Sequence, residues 1–277
     1  MIRRPRATRR LVALLGATIV LVAAACAPSG DDPRAALPPA GVGFDYQLGG
    51  AYPPPDGVVV VARDRTDPPA GIGYDICYVN GFQTQPDELG WWMATHPDLV
   101  LRDRHGDPIV DPDWPDEALL DIGTPDRRTA IAAIVGGWID DCGHDGYDAV
   151  EVDNLDSYTR SQGAITADDA VTMIRSLADR SHAAGLAIGQ KNAAELLPRT
   201  AETDLDFAVA EECNRFDECG AYVRAYGAEV FVIEYRDDAF RHGCEAFPQL
   251  STIRRDVLLQ TPDHPDHRYE ACEGVLG

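Results

Sequence analysis

Lysine is almost absent from this chain of 277 residues: there is one, Lys191, against 23 arginines. An excess of positive charge is absent as well. The formal balance is −22, and setting aside the first 26 residues, which hold five arginines and no acid, takes it to −27. That excludes a nucleic-acid binder working through a basic face, and a protein held on anionic lipid by polybasic residues. Any charged partner is expected to be cationic. Metal-ligand spacing is missing too: there is no Cys-x-x-Cys and no His-Glu-x-x-His, and the seven histidines are scattered. His264 and His267 sit in a proline-rich tail and read as turn residues. No metal and no cofactor are expected.

A long hydrophobic run is also lacking. The most apolar stretch, LVALLGATIVLVAAAC, is too short for a comfortable membrane span and follows the arginine-rich MIRRPRATRR. Positive region, apolar region and small residues form the layout of a secretory signal. The stretch ends in Ala23, Ala24, Ala25 and Cys26, which resembles a bacterial lipobox, with Ala23 where that pattern prefers Leu. The resemblance implies diacylation of Cys26 and a lipoprotein exported to the cell surface, its only membrane contact an N-terminal lipid anchor; the alternative is ordinary secretion with Cys26 removed or incidental. Residues 27–40 are polar and proline-rich, as a flexible tether requires. Residues 41–277 remain as one folded domain, expected to act as a monomer.

Setting Cys26 aside leaves Cys77, Cys142, Cys213, Cys219, Cys244 and Cys272. An even count in an exported chain favours disulfides. Short loops close most easily, which favours Cys213 with Cys219 and Cys244 with Cys272, leaving Cys77 with Cys142.

Strand-like apolar runs alternate with segments of helical period. Strands are expected at 44–48, 75–79, 99–102, 118–122, 147–152, 186–189, 207–210, 230–233 and 256–259. Thr124 and Pro125 open a helix with an apolar stripe of Ile131, Ile134, Val135, Trp138 and Ile139. Thr166 with Asp169 three residues on opens another, which Gly185 stops. This repetition points to an α/β fold, a (β/α)₈ TIM-type barrel with several shortened helices. A doubly wound open sheet is the alternative, but no Gly-x-Gly-x-x-Gly follows the first strand.

Four of these runs end in an acid: Asp121, Asp153, Glu211 and Glu234. One such acid reads as a cap or loop residue; four in a barrel would converge on the C-terminal face. Paired carboxylates suit glycosidic cleavage, one protonating the leaving oxygen and one attacking or activating water. The single lysine lies at the end of another strand, where a compact ammonium could hold a carboxylate or a sugar hydroxyl. Tyr46, Tyr78, Trp114, Tyr158 and Tyr235 lie near the same ends and could stack on sugar rings or pack in the core, whereas Trp138 reads as core.

The blocks WPDEALLDIGTPDRR, WIDDCGHDGYDAVEVDNLDSY, IGQKNAAEL and VAEECNRFDEC, in this order, resemble the endo-α-1,4-polygalactosaminidases, a glycoside hydrolase family with a (β/α)₈ barrel. The resemblance covers roughly residues 42–260. It implies an α-1,4-linked galactosamine-containing polysaccharide, cut internally, and a partly deacetylated polymer of that kind is cationic. It places the catalytic Asp on Asp153 and the catalytic Glu on Glu211, with Glu212 adjacent where the family usually has Gln. Asp45, Tyr46, Tyr78, Asp121, Asn154, Tyr158, Lys191, Asn192, Glu234 and Tyr235 would line the sugar subsites. Gln83 and Gln85 replace the family's usual acidic ending of the second strand. Two rival readings are a Mg²⁺ enzyme holding its ion with Asp153, Glu211 and Glu234, Lys191 serving as base, and a surface sugar-binding protein without turnover.

Overall fold

A computed structural model describes residues 35–274. The signal expected at 1–26, the lipidation expected at Cys26 and the first part of the expected tether fall outside the described residues. Eight strands run parallel in chain order, β1 (Gly43–Gln47), β2 (Val58–Asp64), β3 (Tyr74–Asn80), β4 (Ala149–Asp153), β5 (Ala187–Lys191), β6 (Phe207–Glu211), β7 (Val230–Glu234) and β8 (Ser251–Arg255). A short antiparallel β9 (Tyr269–Ala271) pairs with β8. The sheet curls into a nearly closed α/β barrel of the TIM type.

Helices α1 (Leu89–Thr95), α2 (Pro125–Asp145), α3 (Ala167–Ala183), α4 (Thr200–Thr203), α5 (Cys219–Tyr226) and α6 (Asp237–Ala246) occupy the connections after β3 to β7. The helix signals read from sequence are realised. Thr124 accepts from Arg127 N with Pro125 in the first turn, and Thr166 and Asp169 form a reciprocal capping box, which satisfies amides that no helical carbonyl reaches. The buried faces of α2 (Ile131, Val135, Ile139) and α3 (Val171, Ile174, Leu177) cover the outer side chains of β3 to β5.

Strand alternation divides the sheet into two faces. Val150, Val152, Ile188, Ala208, Ala210, Val230 and Val232 point outward under the helices. Phe44, Ile76, Ala149, Ala187, Phe207, Val209, Phe231, Ile233 and Ile253 point inward and fill the barrel. Gly189 belongs to this inner row, where a Cβ would stand 2.5 Å from the Phe207 ring. Any larger residue there displaces that ring, so the glycine is needed for space.

Between β1 and β8 no ladder forms among the described residues, and side chains close the seam. Val42 N donates to Ser251 Oγ at 3.0 Å. The fully buried Arg255 ion-pairs with Asp45 at 3.0 Å and donates to the carbonyls of Tyr46, Arg268 and Gln260. The three disulfides join Cys77 to Cys142, Cys213 to Cys219 and Cys244 to Cys272, the pairing that loop closure favours.

Several strand expectations are corrected. Residues 99–102 and 118–122 form isolated antiparallel bridges in the long β3 to α2 connection and take no place in the barrel. They are apolar because they are buried, and periodicity does not separate a buried loop pair from a barrel strand. The eighth strand is 251–255 and not 256–259, hidden in sequence because STIRR is polar. β2 and β9 are absent from the expected set.

Candidate active site

The inward row that is apolar lower in the barrel becomes polar at its C-terminal end. Tyr78, Glu151 and Asp153, Lys191, Glu211 and Tyr235 follow Ile76, Ala149, Gly189, Val209 and Ile233 at alternate positions of their own strands or just beyond them. The residues that follow the last inward side chains, Asn154, Asn192 and Glu212, have φ of 63°, 48° and 56°. A left-handed residue turns the chain sharply away, leaving Asp153, Lys191 and Glu211 as the last side chains aimed into the mouth. The turns still satisfy the backbone: Asn192 N bonds Val209 O at 3.0 Å and Glu212 N bonds Ile233 O at 2.7 Å.

Lys191 is the hub. Its Nζ lies 3.1 Å from Asp153 Oδ2, 3.2 Å from Glu211 Oε2 and 3.7 Å from Glu151 Oε1. Its side chain is 4% exposed, against 15% for Asp153 and 24% for Glu211, so the two carboxylates reach solvent above a sealed ammonium. Burial pulls the lysine pKa down, but Asp153, Glu211 and Glu151 outweigh it, and Lys191 is held well above its usual value. Because both oxygens touch one nitrogen, Asp153 Oδ2 and Glu211 Oε2 are separated by no more than the two contact distances laid end to end.

Each carboxylate is also clamped by neutral donors. Asp153 accepts from Tyr78 OH at 2.8 Å and from Asn154 N at 2.7 Å. Glu211 accepts from Asn192 Nδ2 at 3.0 Å and from Tyr235 OH, while its own amide donates to Asn192 Oδ1 at 2.8 Å. Burial first, then the surrounding carboxylates, keep the Tyr46, Tyr78 and Tyr235 phenols well above their ordinary pKa, so all three remain donors. Glu212 points elsewhere and ion-pairs with Arg215 at 2.8 Å.

Tyr46, Tyr78, Asn154, Lys191, Asn192 and Tyr235 are thus brought together with Asp153 and Glu211. Tyr158 lies at the rim, its hydroxyl 3.2 Å from Glu195. Three expected residues are placed elsewhere. Asp45 sits in the seam on Arg255, and Asp121 ion-pairs with Arg127 at 2.5 Å in the β3 to α2 connection. Glu234 has the opposite parity to Tyr235, so it lies on the outer face of β7 and accepts from Asn214 N at 2.8 Å. The three carboxylates of the Mg²⁺ reading are therefore not gathered in one place. Among the described residues, the one grouping with ligand-like geometry is Cys213, Cys219 and Glu234, and its two cysteines are disulfide-bonded.

Two acidic residues join the site without having been singled out from sequence. Glu151 was legible, since it shares strand and parity with Asp153. Glu117 comes from the β3 to α2 connection and accepts from Asn80 Nδ2 at 3.1 Å and Asn154 Nδ2 at 3.4 Å. Burial and then the charge of Asp153 push it up to about 7, against the Asn80 hydrogen bond. No local pattern places a loop residue at that distance.

The model of glycoside-hydrolase family GH114 matches residues 24–277. The chain belongs to that family. It is a glycoside hydrolase. Among solved structures it is similar to Aspergillus fumigatus Ega3 in complex with galactosamine, at TM-score 0.69 and 21% identity, over 86% of this chain and 98% of that one. It is also similar to the glycoside hydrolase domain of PelA from Pseudomonas aeruginosa, at TM-score 0.54 and 16% identity, over 80% and 96%. Both likenesses bear on the fold. No curated protein matches the chain.

Proposed function

We propose that this hydrolase cleaves α-1,4-linked galactosamine-containing polysaccharide internally, with retention of anomeric configuration, through Asp153 as nucleophile and Glu211 as acid and then base. The observation that carries this reading is the shared ammonium: Asp153 Oδ2 and Glu211 Oε2 lie 3.1 and 3.2 Å from the one Lys191 Nζ, which holds the two carboxyl groups side by side and favours the closer spacing of retaining pairs. In the first step Glu211 gives its proton to the glycosidic oxygen while Asp153 attacks the anomeric carbon. The bond to the leaving sugar breaks and a glycosyl ester on Asp153 forms. In the second step Glu211 takes a proton from water, which attacks the same carbon and releases Asp153. Lys191 and Tyr78 hold the nucleophile, and Asn192 and Tyr235 hold the acid, so little reorganisation is needed at either stage.

Substrate class is supported by family membership and by galactosamine in the complex of the similar Ega3. A chain with net charge −22 also suits a cationic polymer. Three disulfides support folding in an oxidising compartment, in keeping with export and lipid attachment at Cys26. The deciding experiment is reducing-end release from a purified galactosamine polymer, with α-1,4-galactan and chitosan as controls. Asp153→Asn and Glu211→Gln each abolish release while melting as the parent does, and the first product has the substrate's anomeric configuration. Full activity in either variant, or an inverted product, refutes the assignment.

A further inference from the structure

Below the two carboxylates lies a third that the proposed reaction does not use. Glu151, two residues before Asp153 on β4, is fully buried. Its Oε1 accepts from Tyr46 OH at 2.7 Å and stands 3.7 Å from Lys191 Nζ, beyond hydrogen-bond reach. Its Oε2 has neither solvent nor a hydrogen-bond partner. An ionised carboxylate in such a place would leave charge on an oxygen that nothing solvates, while a neutral acid leaves only a weak deficit.

We propose that Glu151 is a positioning residue for the glycosidase reaction, which in its neutral form leaves Lys191 raised against Asp153 and Glu211 and on ionising draws the ammonium down and away from them. The inference rests on the functional reading above. Among the described residues, the charged and titratable groups that act most strongly on Glu151 are Tyr46 from β1, Asp153 from its own strand, Lys191 from β5 and Glu211 from β6, with Tyr78 of β3 flanking the ammonium. Burial pushes Glu151 up to about 8; Lys191 and the Tyr46 hydrogen bond oppose that shift, while Asp153 and Glu211 reinforce it. Lys191 now has two near contacts and one long one; ionisation would strengthen the long one, since among the described residues Lys191 is the one cation paired with Glu151.

Lys191 is the sole lysine of the sequence, so ¹⁵N-lysine labelling reports one ammonium. In the parent protein its Nζ resonance shifts between pH 6 and 9 with a midpoint near 8, and in Glu151→Gln it does not. In parallel, the alkaline fall of kcat in Glu151→Gln moves up by at least about one pH unit. Glu151→Leu, which cannot accept from Tyr46, loses kcat with little change in KM, and Gln at the same position restores it. The proposal is overturned by a resonance that stays still in the parent, by the same shift in Glu151→Gln, or by an alkaline fall of kcat that stays in place in a Glu151→Gln protein that melts normally. If the parent turns over no galactosamine polymer, the functional reading fails on its own. The resonance needs no substrate and still decides whether Glu151 moves the ammonium.

Discussion

Burial of Glu234 makes the fold less stable as pH rises, and the size of the effect follows from its surroundings. The carboxyl is fully buried on the outer face of β7, with Oε1 on Asn214 N and Oε2 unpartnered. Burial pushes its pKa up to about 7 from 4.5, despite the Asn214 hydrogen bonds. Between those two values the folded chain keeps a proton that the unfolded chain has lost, so stability is full below the unfolded value and falls as pH rises toward the folded one. At 1.36 kcal/mol per pKa unit, the loss between pH 5 and pH 8 is roughly 2 kcal/mol for this residue. Glu234→Gln removes the titration and keeps an acceptor for Asn214. Urea unfolding at the two pH values, disulfides intact, should show the parent losing more stability than Glu234→Gln by about that amount, some 4 to 8 °C in Tm at pH 8. Parallel stability curves for the two proteins would refute the argument. Glu117 and Glu151 are raised for the same cause and act in the same direction.

Arg255 and Lys191 give two further tests. Arg255→Met leaves Asp45 buried and unpaired in a seam with no backbone ladder, and should cost about 3 to 5 kcal/mol in urea unfolding; adding Asp45→Asn should restore part of it. If the single variant is as stable as the parent, the arginine does not hold the seam. Lys191→Arg should lower kcat on a galactosamine polymer by about a hundredfold, because a guanidinium fork does not fit a slot that serves two carboxylates at 3.1 and 3.2 Å and is walled by the Tyr46 and Tyr78 rings. Unchanged kcat would show that any cation suffices.

What the sequence discloses follows strand parity. Asp153, Lys191 and Glu211 close short buried strands at their C-terminal ends, so their convergence could be argued before any coordinates. Asp45, Asp121 and Glu234 also end or flank apolar runs, yet they are placed elsewhere, each for a specific cause. Glu234 is one position out of phase with Tyr235 and faces outward. Asp121 follows a run that belongs to a loop pair and not to the barrel. Asp45 meets Arg255 across a seam 210 residues apart, and Arg255 lies in a strand that the polar sequence STIRR conceals. The disulfide pairing was accessible because two of the loops are short, 6 and 28 residues, which left one remaining pair.

A single lysine among so many arginines has a physical account in this arrangement. An arginine presents a planar fork suited to gripping one carboxylate with two parallel bonds, and that geometry would tie it to Asp153 or to Glu211 but not evenly to both. The lysine ammonium is compact and tetrahedral, and it approaches each within 3.2 Å. It does so at 4% exposure, where an unpaired cation would be costly, so the carboxyl groups that need orienting also supply the oxygens, and Asp153 the charge, that allow the lysine to be buried. Removing either carboxylate therefore does more than delete a reacting group: it loosens the hub that positions the other. For that reason Asp153→Asn and Glu211→Gln, which keep an acceptor oxygen at the same place, are cleaner tests of chemistry than alanine at either position. By the same reasoning the combined loss in the double variant should fall well short of the product of the two single losses, since the first change already disturbs the shared ammonium.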